Sequence, residues 1–155
     1  SELHTHTNNQ LVEDLTSERF ITSFVGVLDT GSNLISYHAC GQAPLLHYCR
    51  GSGEVEVLAA SALPFGIMPD IPLDEPGPVK MEKGDIFALI SDGILEQENT
   101  QGEQFGTERA SKLLKESGSC TMKELADRFR EAVTDHSEKT SQDDDMTIVL
   151  VKRTV

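Results

Sequence analysis

Five prolines fall between Leu63 and Pro78 (Pro64, Pro69, Pro72, Pro76 and Pro78), and no other feature constrains the chain as much. Each removes a backbone donor and locks φ at about −65°, so neither a helix nor a central strand can run through this stretch. The segment also carries Phe65, Ile67, Met68, Ile71 and Leu73, too apolar for a free linker. It reads as an ordered loop, either a flap over a site or a packed crossing. The chain on its N-terminal side differs in kind from the chain on its C-terminal side.

Before it, short β-prone runs alternate with turn clusters. Phe20 to Leu28 is rich in β-branched and aromatic residues, and Asp29-Thr30-Gly31-Ser32-Asn33 is a turn. Leu34 to Cys40 resumes strand composition and completes a hairpin. Gly41-Gln42-Ala43-Pro44 makes a second turn before Leu45 to Cys49, and Arg50-Gly51-Ser52-Gly53 a third before Glu54 to Leu58. The expectation is a four-stranded antiparallel meander. Residues 1–19 are polar, with Leu11, Val12 and Leu15 at helical spacing, and read as the end of a helix preceding the first strand. His4 and His6 there read as a loose terminus.

After the prolines, Lys83-Gly84-Asp85 is a turn and Ile86 to Ile90 a continuous apolar run, hence a buried strand ending in Ser91-Asp92-Gly93. Thr107 is placed to cap a helix reaching about Ser117, stopped by Gly118. Thr121-Met122-Lys123-Glu124 is a capping box opening a longer helix, whose Met122, Leu125, Ala126, Phe129, Ala132 and Val133 share one face. His136 near its end suits the helix dipole. Met146 to Val151 closes the chain as a last strand. Strands first, then helices, then a strand is an α+β pattern. No internal repeat or boundary divides it, so residues 1–155 read as a single domain.

Asp and Glu number 26 against 13 Lys and Arg, a formal charge of −13, which repels nucleic acid and anionic membrane alike. No apolar run reaches the ~18 residues of a membrane span, and the N-terminus has neither the basic nor the apolar part of a secretory leader. Cys40, Cys49 and Cys120 are too few for a disulfide scaffold, so the expected setting is reducing and cytoplasmic.

Carboxylates at two strand ends are the strongest chemical signal. Asp92 follows a buried strand, and Gly93 allows a sharp turn or close approach. Asp143, Asp144 and Asp145 immediately precede another strand. If the two strands are neighbours, the carboxylates meet at one sheet rim, where an all-oxygen cluster suits Mg²⁺ or Mn²⁺. The plainer reading is a turn and a solvated acidic loop.

Several pieces then occur in a recognisable order. They are Phe20-Ile21-Thr22 with Gly26-Val27-Leu28-Asp29, and Tyr37-His38-Ala39-Cys40-Gly41-Gln42-Ala43-Pro44-Leu45-Leu46 in place of Tyr-x-Asn-Ala-Gly-His-x-Pro-x-Leu-Leu. Leu63-Pro64-Phe65-Gly66-Ile67, Gly84-Asp85, Ser91-Asp92-Gly93-Ile94-Leu95-Glu96, Phe105-Gly106 and Asp144-Asp145-Met146-Thr147-Ile148-Val149-Leu150 come after them. In these the chain resembles the C-terminal two-thirds of a serine phosphatase domain of the SpoIIE/RsbU family, within the PPM superfamily of metal-dependent protein phosphatases. The resemblance implies an αββα sandwich of antiparallel sheets flanked by helices, here lacking its N-terminal strands. It implies two Mn²⁺ or Mg²⁺ ions in a complete domain, a bridging water attacking phosphorus in line, and no covalent phosphoenzyme. Asp92 matches the family's late Asp-Gly motif and Asp144 the first aspartate of its closing Asp-Asp-x-Thr motif, both as metal ligands. Asp143 and Asp145 are the alternatives one register away, and Gly93 and Thr147 take supporting roles. The implied partner is a phosphorylated regulatory protein, an anti-sigma-factor antagonist of STAS type, in a bacterial stress or development switch.

The departures matter too. The family's two N-terminal metal motifs have no counterpart in residues 1–19, and Gln42 stands where His is usual. Two carboxylates do not make a binuclear site. The expectation is therefore a partial phosphatase domain, or alternatively a degenerate, non-catalytic fold acting as a protein-interaction module. Absent strands would leave sheet edges that invite homodimerisation.

A second constellation arises from spacing alone. His38, Cys40, His47 and Cys49 alternate on two strands joined by a short turn. A hairpin with its tip at Gln42 to Leu45 would place all four on one face as a tetrahedral Zn²⁺ site. Ordinary buried Cys and His on a sheet face is the competing and commoner arrangement.

Overall fold

The computed structural model describes residues 2–16, 19–138, 142 and 144–155. The chain divides into two compact units, Ser1–Ala43 with Ala59–Lys80, and Pro44–Leu58 with Met81–Val155.

The first unit holds helix α1 (Glu2–Asp14) and strands β1 (Ser23–Asp29), β2 (Leu34–Cys40) and β5 (Val79–Lys80), in sheet order β1-β2-β5. β1 and β2 form the expected hairpin, with Asp29 opposite Leu34. The Asp29 carboxylate ties the turn by accepting from Gly31 and Ser32 backbone N–H and from the Ser32 hydroxyl. Beyond β2, β1 has no strand partner among the described residues, and Val25, Val27 and Leu28 on it stay exposed. Alternation along β2 buries Ile35, Tyr37 and Ala39 on one face and Cys40 on the other.

The proline segment is a packed crossing within this unit. Phe65 and Ile71 are buried around Cys40, and Phe65 exchanges two backbone hydrogen bonds with Ile21. Asn8, buried in α1, donates to the Met68 carbonyl at 2.9 Å and accepts from Gly66 N–H at 3.0 Å. A buried amide that satisfies two backbone groups of a loop without a ladder is how such a segment is ordered. His4 is also buried, its ring 4.7 Å from that of His38. The loose terminus expected around it is instead a helix with one face buried.

The second unit is a sheet in the order β4 (Glu54–Leu58), β3 (Leu45–Cys49), β6 (Ile86–Ile90), β7 (Ile148–Lys152), all antiparallel. β6 is central, which explains its unbroken apolar composition: Ile86, Ala88 and Ile90 face a helical layer, and Phe87 is buried on the other side. The layer comprises α2 (Asp92–Leu95), α3 (Gly106–Ser117) and α4 (Met122–Ser137), which contribute Ala110, Leu114, Leu125, Phe129 and Val133 to one core. The capping box forms as read: Thr121 accepts from Glu124 N–H, and the Glu124 carboxylate accepts from Thr121 N–H.

Two expectations are corrected, the single meander and the Thr107 cap, while the stop at Gly118 falls where it was expected. The meander breaks between β2 and β3, which belong to different sheets. Gly41 at φ +71° turns the chain out, its N–H donates to Ala62, and Pro64 packs where a Cβ would sit. The continuation of β2 is thus taken by Ala62, and both sides of β3 by β4 and β6. Thr107 is not a cap, since α3 starts at Gly106 with Phe105 at the N-cap. Gly118 ends α3 without a left-handed backbone; a Cβ there would strike the Tyr48 ring at 2.5 Å. Lys152 Nζ satisfies the Gly118 and Cys120 carbonyls beyond that helix end. No helix among the described residues is long and apolar enough to cross a membrane.

Candidate metal centre

Register places the acidic motifs together. Ile90 at the end of β6 is paired with Ile148 at the start of β7. The residues just past one strand and just before the other therefore emerge at the same rim. Asp92 and Asp144 both line a cleft of about 270 Å³ there, with Glu96, Glu98, Gln97 and Gln104.

Gly93 and Ser91 hold the two segments in contact. A Cβ on Gly93 would run into the Asp145 carbonyl oxygen, would lie 2.9 Å from the Asp145 carbonyl carbon and 3.0 Å from the Asp144 carbonyl oxygen. Only glycine lets the 144–145 backbone pass this close. The Ser91 hydroxyl donates to the Asp145 carbonyl at 3.1 Å and accepts from Thr147 N–H at 2.9 Å. Ser91 N–H donates to the Thr147 carbonyl at 3.0 Å. Thr147 thus contributes its backbone to the junction. Asp92 Oδ1 accepts from Gly93 N–H at 2.9 Å, and Asp144 Oδ1 from Asp145 N–H at 2.7 Å. The Gln142 amide donates to the Asp144 carbonyl at 2.8 Å.

Of the sequence candidates, Asp92 and Asp144 share the cleft, whereas Asp145 meets Ser91 and Gly93 through its carbonyl. Asp143 lies outside the described residues. Glu96 and Glu98 were not singled out from sequence, although Glu96 stands four residues past Asp92, one helical turn along the same face. An isolated bridge between Glu98 and Gln104 shapes the far wall. Four carboxylates line this one cleft, and a divalent cation bound there would offset their like charge. With oxygen donors only, the set fits a hard ion such as Mg²⁺ or Mn²⁺.

The tetrad His38, Cys40, His47 and Cys49 does not assemble as a hairpin, because β2 and β3 are not paired. His38 and Cys40 belong to the first unit, and His47 and Cys49 to the second. Cys40 is fully buried, and burial pushes its thiol up from the ordinary range. His136 lies in the last turn of α4, as expected; its ring meets the Glu103 carbonyl at 2.9 Å and stands edge-on to Phe105.

Known proteins share this architecture. The family model of stage II sporulation protein E (SpoIIE) matches residues 1–154. No curated protein matches significantly. Among solved structures, the SiaA-PP2C domain of Pseudomonas aeruginosa is similar at TM-score 0.77 and 19% identity, over 96% of this chain and 58% of that one. The Mn-presoaked SpoIIE phosphatase domain of Bacillus subtilis gives 0.70 at 21% identity, over 99% and 67% respectively. The RsbU and RsbW domains of a Mycobacterium tuberculosis protein give 0.69 at 20% identity, over 94% and 40%. These likenesses show the PP2C fold, of which the chain spans a part.

Proposed function

The chain belongs to the SpoIIE family of PPM phosphatase domains, and on that premise we propose that it serves metal-dependent hydrolysis of phosphoserine or phosphothreonine on a regulatory protein. The observation that carries this is the Gly93 passage, which brings Asp92 and Asp144 to one carboxylate-lined cleft. Asp92 and Asp144 would hold Mn²⁺ or Mg²⁺, with Glu96 and Glu98 adding negative charge around them. Such an ion, when bound, neutralises charge on the phosphoryl oxygens and activates water for in-line attack.

The residues of the chain supply position. Ser91 locks the end of β6 to the start of β7, so the Asp92 and Asp144 carboxylates keep their spacing as charge accumulates between them. The cleft lies at the sheet rim, the position from which a phosphorylated side chain carried on a protein surface would be reached. A phosphorylated anti-sigma-factor antagonist of STAS type is the partner that the family suggests.

Titration calorimetry with Mn²⁺ tests the reading, with Asp92→Asn and Asp144→Asn alongside. Each variant should weaken Mn²⁺ binding by more than the roughly 10–100-fold typical for loss of an outer-shell group. Unchanged affinity in both variants overturns the site. Binding that depends on both aspartates, without hydrolysis of a phosphoserine peptide, would favour the non-catalytic interaction module.

A further inference from the structure

The edge hairpin of the second unit carries a cluster that the phosphatase reading does not use. We propose that His47, Cys49 and Glu56 form a binding site for one Zn²⁺ ion, at the end of the sheet away from the carboxylate cleft.

The register builds the site. His47 lies directly opposite Glu56 in the β3–β4 pair, and Cys49 comes two residues later on the same face. His47 Nδ1 is 3.3 Å from Glu56 Oε2 and 3.7 Å from Cys49 Sγ. All three ligand atoms fall within 4.8 Å of one another. Zinc bonds of about 2.0–2.2 Å to N and O and about 2.3 Å to S give tetrahedral edges of roughly 3.4 Å for N···O and 3.6 Å for N···S. The metal-free spacings already match both edges to within about 0.1 Å.

A buried carboxylate stands at the back of the imidazole. His47 Nε2 is buried, makes no hydrogen bond, and stands 3.4 Å from Asp85 Oδ2. Asp85 is itself buried and held by the Arg50 and Glu82 N–H groups, each at 2.7 Å. When the proton sits on Nε2, beside this carboxylate, the Nδ1 lone pair is turned toward Glu56 and Cys49. In the metal-free chain a proton on Nδ1 can instead be donated to Glu56 Oε2 at 3.3 Å, and zinc would take the place of that proton. A carboxylate behind a ligating histidine is the usual outer-shell partner in zinc sites.

Burial, together with the charges of Glu56 and then Asp85, keeps the Cys49 thiol protonated above its ordinary range. On binding, the S–H bond breaks, its proton leaves to solvent, and the sulfur lone pair passes to the metal with no change of oxidation state. Imidazole and thiolate donors select Zn²⁺ over the hard ions suited to the carboxylate cleft. Three protein ligands leave a fourth position for water, and the Glu56 side chain, 63% exposed, provides the way in. The ion would pin the edge strand β4 to β3.

Co²⁺, which reports its ligands spectroscopically, is the probe. Added to the purified chain, it should give a thiolate-to-cobalt charge-transfer band saturating at a single equivalent and displaced by Zn²⁺. The band should vanish in Cys49→Ser and persist in Cys120→Ser and Asp92→Asn. Glu56→Gln changes one exposed side chain and leaves the core intact, so it keeps the test decisive should Cys49→Ser fail to fold. It should weaken Zn²⁺ binding by roughly 10-fold or more and reduce the rise in Tm that Zn²⁺ produces. The proposal is overturned by the absence of a charge-transfer band, by its survival in Cys49→Ser, or by unchanged Zn²⁺ affinity in Glu56→Gln.

Discussion

Replacing Gly93 by alanine tests the junction on which the carboxylate cleft depends. The added methyl would stand 2.9 Å from the Asp145 carbonyl carbon, closer still to its oxygen, and ordinary contact begins at 3.4 Å. The 144–145 backbone must then retreat by about 0.5 Å or more, because its carbonyls, unlike a flexible side chain, cannot rotate away. The Ser91 hydrogen bonds to Asp145 and Thr147 stretch with it. Overpacking of this kind costs about 1–3 kcal/mol, and with the strained hydrogen bonds we expect about 2–3 kcal/mol. For a chain of this size that corresponds to a Tm lower by roughly 4–12 °C. Mn²⁺ affinity should fall as well, since Asp92 and Asp144 are driven apart. Gly51→Ala is the control, because nothing lies within 4 Å of the position its Cβ would take. The assay is thermal melting of both variants beside wild type, then Mn²⁺ calorimetry on the folded proteins. Should Gly93→Ala melt with Gly51→Ala and bind Mn²⁺ as wild type does, the close passage does not hold the site together.

Two further outcomes are expected. Burial, and after it the charge of His38, holds His4 below its ordinary value of 6.5, so the unfolded chain takes up that proton first. Stability should therefore rise with pH across the interval from the lowered value to about 6.5 and decline on acidification through it. Urea midpoints measured above and below about 6.5 should differ less in His4→Gln than in wild type; an equal difference would remove His4 as the source. Phe129, 1% exposed and central to the helical core, should cost about 3–5 kcal/mol when cut to alanine, measured by urea unfolding. A loss under about 1 kcal/mol would mean that α4 packs less tightly than its contacts imply.

Local chemistry was legible wherever neighbours in sequence settle it. The capping box at Thr121 and the apolar face of α4 needed only i, i+3 and i, i+4 relations, and the turn at Asp29 only its own side chain. The strand at Ile86–Ile90 was readable because burial on both faces leaves no room for polar residues. Asp92 and Asp144 were nameable from their motifs, and Asp143 lies outside the described residues. Thr107 misled because a hydroxyl near a helix start resembles a cap wherever the backbone actually turns. His4 misled because a polar helix with few apolar residues hides the loop that its Asn8 amide satisfies.

What no local pattern carried was which strands pair. The alternation of β-runs and turns from Phe20 to Leu58 is equally compatible with one meander and with two sheets, since both bury the same alternate residues. The split was decided by Ala62 and Pro64, about twenty residues beyond Gly41, and it separated His38 and Cys40 from His47 and Cys49 while setting Glu56 opposite His47. By itself the sequence determined the element types, the apolar faces and the carboxylates at strand ends, because these depend on residues a few positions apart. The tertiary structure alone decided strand order, the meeting of Gly93 with Asp145, and the neighbours of Cys49, because these depend on which distant backbone can approach without a clash or an unpaired polar group.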